Sequence, residues 1–126
     1  MVQKHNTNYL EGFLPTNFKW KDSQEALVKI AQFCRQSHLP LLVTVLPDFT
    51  QNFDVSYCCQ LIHNTVKEWS NELHIDFIDL LPYFQGTDYR EFQVIGDGHP
   101  NAQGHRKIAE VLANSIERIL ILQSEN

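Results

Sequence analysis

A strand, an amphipathic helix and a second strand follow one another in the middle of this chain. The first strand is predicted from the apolar run at 41–46, which stops at Pro47 and has the β-branched content of a strand buried on both faces. Apolar residues at helical spacing predict a helix over 54–73, and 75–80 predicts the second strand. Such an order requires parallel strands joined by a right-handed crossover, so the sequence predicts an α/β fold with a small parallel sheet.

Two further helices flank this unit. Asp22 followed by Glu25 resembles a capping box, and the apolar spacing after it predicts a helix over 23–36. A last helix is predicted over 101–121, whereas 1–21 are predicted to be an irregular N-terminal segment. A length of 126 residues predicts a single domain.

Charge and composition narrow the classes of partner. Acidic residues outnumber basic residues by 15 to 10, the net charge is −5 and no basic stripe is present, so a nucleic-acid partner is not expected. The apolar runs are too short for a membrane span. Cys34, Cys58 and Cys59 lack the spacing of a metal finger, and the adjacent pair is poorly placed to form a disulfide. This cysteine usage fits a reducing compartment or indifference to redox. The composition favours the cytoplasm but does not fix the compartment, and no cofactor is implied.

Chemistry is expected in two loops. Ligands of open parallel sheets bind at the carboxyl ends of the strands, and the loops 47–53 and 82–100 leave those ends. In the first loop, Asp48 either lines a pocket or shapes a turn. The second loop runs into the string GDGHPNAQGH.

Asp97 and His99 are the candidate catalytic residues of this string. A carboxylate beside an imidazole holds the Nδ1 proton and fixes the tautomer, so Nε2 is left to accept a proton from a nucleophile. The alternative is a loop histidine with an Asx turn, in which Asn101 caps the last helix.

The same string carries a resemblance to a known family. DGHPNAQGH, leading into RKIAEVL, resembles the final block of the SGNH (GDSL-like) hydrolases, and the resemblance covers residues from about 22 to 121. It implies the C-terminal part of a flavodoxin-like three-layer fold and a serine esterase or lipase that acts on a small-molecule ester. It also implies that His99 is the general base and Asp97 its orienting partner. The family's spacing is Asp-x-x-His, whereas this chain has Asp-x-His.

The nucleophile block of that family is missing. No Gly-Asp-Ser occurs, and the only Asp-Ser is Asp22–Ser23, where Ser23 is interpreted as a helix cap. By the resemblance, Asn6 is an oxyanion donor; alternatively, it belongs to an irregular segment. The sequence therefore predicts a truncated domain that keeps the base end of the triad and is inactive alone. It is a shortened chain, a half that works with a partner chain, or a remnant recruited for binding.

Two other readings stay open. Asp97, His99 and His105 are a carboxylate and two imidazoles that could hold a metal ion, although the sequence has no known metal-binding spacing. The chain is otherwise a non-catalytic binding or dimerisation module, in which the strand at 41–46 pairs with a second copy or a partner chain. Loop aromatic residues would then form an exposed interaction surface; alternatively, and more commonly for such residues, they cover the core. These residues are Phe49, Phe53, Tyr83, Phe84, Tyr89 and Phe92.

Two polar residues of the central unit are interpreted without a catalytic role. His63 falls on the polar side of its predicted helix and is interpreted as solvated. Asp79 is interpreted as an edge or loop-end residue of the second strand.

Overall fold

The computed structural model of the chain describes residues 10–124, with the side chain of Gln123 left out. The described residues have a mixed α/β architecture of four helices and one two-stranded parallel sheet, which confirms the predicted class. The elements are α1 (10–12), α2 (Phe18–Gln36), β1 (Leu42–Val45), α3 (Gln60–Glu72), β2 (Asp76–Asp79) and α4 (Ala102–Ser124), with short 3-10 helices at Leu81–Tyr83 and Tyr89–Glu91.

The described part of the chain divides into two compact units. The first consists of 10–45 and 58–79 and contains the sheet. The second consists of 46–57 and 80–124 and contains the loops that were expected to carry chemistry. Within 10–124, no helix is long and apolar enough to cross a membrane.

The sheet pairs β1 and β2 in parallel, as predicted. Leu42 lies opposite Asp76, and Val45 lies opposite Asp79. The Thr44 hydroxyl adds a bond of 3.0 Å to the Ile78 carbonyl. All four residues of β1 keep part of their surface exposed, so the predicted burial on both faces is not found.

Helix α2 begins earlier than predicted because a different residue caps it. The Asn17 side chain accepts a hydrogen bond from the Lys19 N–H at 2.9 Å, so the helix begins at Phe18. Asp22 and Ser23 therefore lie inside the helix, where the Ser23 hydroxyl donates to the Lys19 carbonyl at 2.9 Å. The capping roles predicted for Asp22 and Ser23 are wrong.

Helix α3 begins at Gln60, later than the predicted residue 54, because a local turn precedes it. The Asp54 carboxylate accepts hydrogen bonds from the Ser56 N–H at 2.8 Å and the Ser56 hydroxyl at 2.6 Å. The Asp54 carbonyl accepts from the Tyr57 N–H at 3.0 Å. A short polar side chain here competes with helix formation by bonding its neighbours' backbone. The bonds from Ser56 also hold the pKa of Asp54 below its usual value.

Four phenylalanines form the core of the second unit. Phe49, Phe53, Phe84 and Phe92 are each buried. The ring of Phe84 lies 5.1 Å from that of Phe49 and 5.2 Å from that of Phe92, both edge to face, which is a favoured geometry for aromatic pairs. The Lys107 ammonium lies 5.0 Å from the ring centres of both Phe84 and Phe92, within cation–π range.

These four residues therefore cover the core, which confirms one of the two alternatives that the sequence left open, and they do not form the exposed aromatic surface. Of the other two aromatic residues in that set, Tyr83 is 49% exposed, and Tyr89 is partly buried against Phe53. The phenylalanines are buried because the loop 46–57 packs on the segment 80–124 and the two supply a core of their own.

Candidate active site at the Asp97–His99 turn

Asp97 and His99 form a contacting pair in the loop that precedes α4. One carboxylate oxygen of Asp97, Oδ1, contacts Nδ1 of the His99 ring and also accepts from the His99 backbone N–H at 3.2 Å. The side chain of His99 is 82% exposed and that of Asp97 is 51% exposed. The structure thus brings together the two residues that the sequence singled out, and the carboxylate meets the ring nitrogen that an orienting group must hold.

The contact affects the ionisation of the carboxyl group. The hydrogen bond with His99 holds the pKa of Asp97 below its usual value. Asp97 is therefore ionised at neutral pH and able to stabilise an imidazolium on His99. Since the folded-state pKa is lowered, the contact stabilises the turn above the usual pKa of the carboxyl group and is lost as the pH falls through the lowered value.

Backbone hydrogen bonds close the loop around this pair. The Val94 N–H donates to the His99 carbonyl at 2.9 Å, and the Asp97 N–H donates to the Val94 carbonyl at 2.9 Å. Gly96 has φ 76°, a left-handed conformation that glycine adopts without a steric penalty. The turn therefore depends on the glycine that precedes Asp97 in the string.

Asn101 fastens the turn to the start of α4. Its side-chain oxygen accepts from the Gly104 N–H at 3.0 Å, so Asn101 caps α4. This cap and the Asx turn between Asp97 and the His99 N–H are the two features of the non-catalytic alternative, and both are present. The Asn101 side-chain nitrogen donates to the Glu91 carbonyl at 2.9 Å and the Gln93 carbonyl at 3.2 Å. The Asn101 side chain thus links the first turn of α4 to the backbone at Glu91 and Gln93, which precede the Asp97–His99 pair in the chain.

Gly104 has a steric role in the same string. A Cβ atom at this position would lie 2.8 Å from the Phe92 carbonyl oxygen and 2.9 Å from the Pro100 Cβ. Any larger residue would have to displace backbone. Asn101 and Gly104 of the GDGHPNAQGH string therefore both serve to hold α4 against the loop that carries His99.

The two loops in which chemistry was expected meet at Gly98. A Cβ atom there would lie 3.1 Å from Thr50 Cγ2 and 3.4 Å from Asp48 Oδ1. Asp48 accepts from the Thr50 N–H at 2.9 Å, from the Thr50 hydroxyl at 2.7 Å and from the Gln51 side chain at 2.7 Å. Asp48 thus shapes a turn, and this turn is the surface on which the Asp97–His99 segment rests. The sequence did not predict this contact.

The other candidate residues have different outcomes. Among the residues that the structure describes, no three His, Cys, Asp or Glu side chains are grouped so as to hold a metal ion. Asp97, His99 and His105 are therefore not brought together as a metal site. Asn6 lies outside the described residues, so its role stays a prediction.

A second Asp–His contact, in the first unit, was missed. His63 is only 1% exposed, and its Nδ1 lies 2.7 Å from Oδ1 of Asp79, the last residue of β2. The interpretation of His63 as solvated is therefore wrong. Buried polar side chains need a hydrogen-bond partner, and for His63 that partner is Asp79. The acidic residue at the end of the predicted second strand was the sequence signal that could have indicated this burial.

Comparison with known proteins gives no family for this chain. No family model, no curated protein and no solved structure matches it. The likeness to the SGNH hydrolases therefore rests on the residues of the string before α4 and on their predicted position after a strand.

Proposed function

We propose that Asp97 and His99 are the base end of a serine ester hydrolase of the SGNH type, whose nucleophilic serine lies outside these 126 residues. One observation carries the proposal: the Asp97 carboxylate contacts Nδ1 of a histidine ring that is 82% exposed. Because Asp97 contacts Nδ1, Nε2 is the ring nitrogen of His99 that can accept a proton from a nucleophile. The tip of this turn is open to a small-molecule ester and to a segment that brings a serine.

The chemistry of the pair follows from general acid–base catalysis. His99 Nε2 takes the proton of the serine hydroxyl as its oxygen attacks the ester carbonyl, and the ionised Asp97 stabilises the imidazolium. The same imidazolium then protonates the departing alcohol. Water repeats the sequence on the acyl-enzyme, and His99 again acts as the base.

The hydrogen bonds of three hydroxyl groups in the second unit favour a nucleophile that comes from outside this chain. The Thr50 hydroxyl, which lies beside Gly98, donates a hydrogen bond to the Asp48 carboxylate at 2.7 Å. The Ser56 hydroxyl donates to the Asp54 carboxylate at 2.6 Å, and the Ser115 hydroxyl donates to the Val111 carbonyl within α4 at 2.9 Å. Each of these hydroxyl protons is directed at a partner other than His99.

Fluorophosphonate labelling tests where the nucleophile lies. Intact mass spectrometry of the purified chain is expected to show no adduct, because no serine is activated by His99. The labelled sample is compared with a His99→Ala variant at the same probe concentration. A single adduct on the natural chain that disappears in His99→Ala would contradict the external nucleophile and make this chain a complete enzyme.

A second candidate function is an assembly module, and the sheet favours it. In the part of the chain that the structure describes, β1 has one neighbour, β2, so one edge of β1 is unpaired. β2 begins and ends with the charged residues Asp76 and Asp79, whereas Leu42–Val45 has no charged residue. Charged residues normally protect exposed strand edges, so the uncharged edge of β1 is suited to accept a strand from a second copy or a partner chain.

The mass of the chain in solution tests whether β1 accepts a strand from a second copy. If β1 accepts a strand from a second copy, light scattering after size exclusion gives a mass of twice 14.7 kDa or more. A lone 14.7 kDa species at every concentration would contradict self-association and leave the hydrolase proposal untouched.

A further inference from the structure

The two adjacent cysteines before α3 hold their sulfur atoms close together. Cys58 Sγ and Cys59 Sγ lie 3.3 Å apart. Cys59 is 6% exposed and occupies the cap position of α3, where its side chain makes no capping hydrogen bond to the helix. Cys58 is partly exposed. The pair therefore consists of one buried and one partly exposed cysteine.

The geometry of two adjacent cysteines disfavours a disulfide bond between Cys58 and Cys59. Adjacent Cα atoms across a trans peptide lie about 3.8 Å apart, whereas disulfides usually join Cα atoms roughly 4.4–6.8 Å apart. Closing the 3.3 Å sulfur separation to a bond of about 2.05 Å would also strain the backbone that joins the two residues. Strained disulfides are readily reduced, so strain favours the dithiol form of the pair.

We propose that Cys58 and Cys59 form a chelating dithiol site for trivalent arsenic, in the form of arsenite or a monosubstituted arsenical. The sulfur separation selects this class of ligand. With metal–sulfur bonds of about 2.3 Å, a tetrahedral centre needs sulfur atoms about 3.8 Å apart and a linear centre about 4.6 Å. The observed 3.3 Å gives a bond angle near about 90° at that bond length, which is the angle of a pyramidal three-coordinate centre.

The number of available ligands agrees with this choice. Within residues 10–124, no third Cys, His, Asp or Glu side chain completes a metal-binding group. A monosubstituted arsenical needs only two sulfur ligands, because its organic substituent fills the third position. Thiolates are soft ligands and prefer soft centres, so oxygen-seeking cations such as Mg²⁺ do not compete.

The binding step balances without a redox partner. With an arsenoxide, R–As=O, both S–H bonds and the As=O bond break and two As–S bonds form. The oxygen leaves as water and carries both thiol protons, and arsenic stays trivalent throughout. Because both sulfurs lie on adjacent residues, the second bond forms intramolecularly, so the chelate is expected to bind roughly 10²–10⁴-fold tighter than one thiol alone.

Phenylarsine oxide is the probe for this site, and intact mass spectrometry of the full chain is the readout. The natural chain and a Cys34→Ser control, which keeps the pair, are expected to gain one phenylarsenic group in place of two hydrogens. The adduct should survive excess glutathione, a monothiol, and be removed by dithiothreitol, a dithiol. Cys58→Ser and Cys59→Ser are expected to lose the glutathione-resistant adduct.

Several results would overturn the proposal. A glutathione-resistant adduct on Cys58→Ser, or its loss from Cys34→Ser, would place the site elsewhere. Loss of two hydrogens under mild glutathione disulfide would show that the pair forms a disulfide instead of a chelate. Circular dichroism shows whether each variant folds, and Cys58→Ser, at the more exposed position, keeps the test decisive if Cys59→Ser does not fold.

Discussion

Replacing Phe84 with alanine is expected to lower the free energy of unfolding by about 3–5 kcal/mol, the usual cost of truncating a fully buried aromatic side chain. Phe84 has no exposed surface, and its ring lies 5.1, 5.5 and 5.2 Å from those of Phe49, Phe53 and Phe92. The Lys107 ammonium lies 5.0 Å from the same ring. One substitution therefore removes ring contacts to three neighbours and a cation–π contact.

Urea denaturation followed by circular dichroism measures this loss, and Tyr83→Ala is the matched control. Tyr83 is the adjacent aromatic residue but is 49% exposed, so its truncation is expected to cost much less than that of Phe84. Equal losses for the two variants would contradict a core centred on Phe84.

Replacing His63 with alanine is expected to cost about 2–4 kcal/mol of stability, because it removes a buried hydrogen bond, which costs about 1–3 kcal/mol, and opens a cavity. His63 is 1% exposed, and its contact of 2.7 Å with Asp79 joins α3 to the end of β2. Truncation removes the imidazole from beside a carboxylate that is only 20% exposed and leaves a cavity next to the sheet.

Lys67→Ala is the control for His63, since Lys67 lies one turn later on α3 and is exposed. Its substitution is expected to change stability by no more than about 0.5 kcal/mol. If His63→Ala cost no more than Lys67→Ala in the same urea titration, His63 would be the solvated residue that its helical periodicity suggested.

The strands and the helix between them were predictable because their signals are local. The apolar run at 41–46 ends at a proline, and the helix after it repeats apolar residues at the helical period. Helix starts were less predictable. Asn17 and Asp22 are both good capping residues, and the sequence alone does not show that Asn17 is the one that bonds the backbone.

Burial was predicted least well, because it depends on contacts between distant segments. Phe49 and Phe84 are far apart in sequence, and only the packing of the two loop segments turns them into a core. His63 is polar, so periodicity assigns it to the solvent side unless its partner Asp79 is known. By contrast, the Asp97–His99 contact follows from a spacing of two residues in a glycine-flanked turn.

Hydrolysis of p-nitrophenyl acetate tests the central claim most directly, because an activated ester reports a reactive imidazole without a serine. We predict that His99→Ala loses most of the protein-dependent rate and that Asp97→Asn lies between His99→Ala and the natural chain. His105→Ala, which removes another exposed histidine of the second unit, should keep the full rate. Equal rates for His99→Ala and the natural chain would contradict the assignment of His99 as the base.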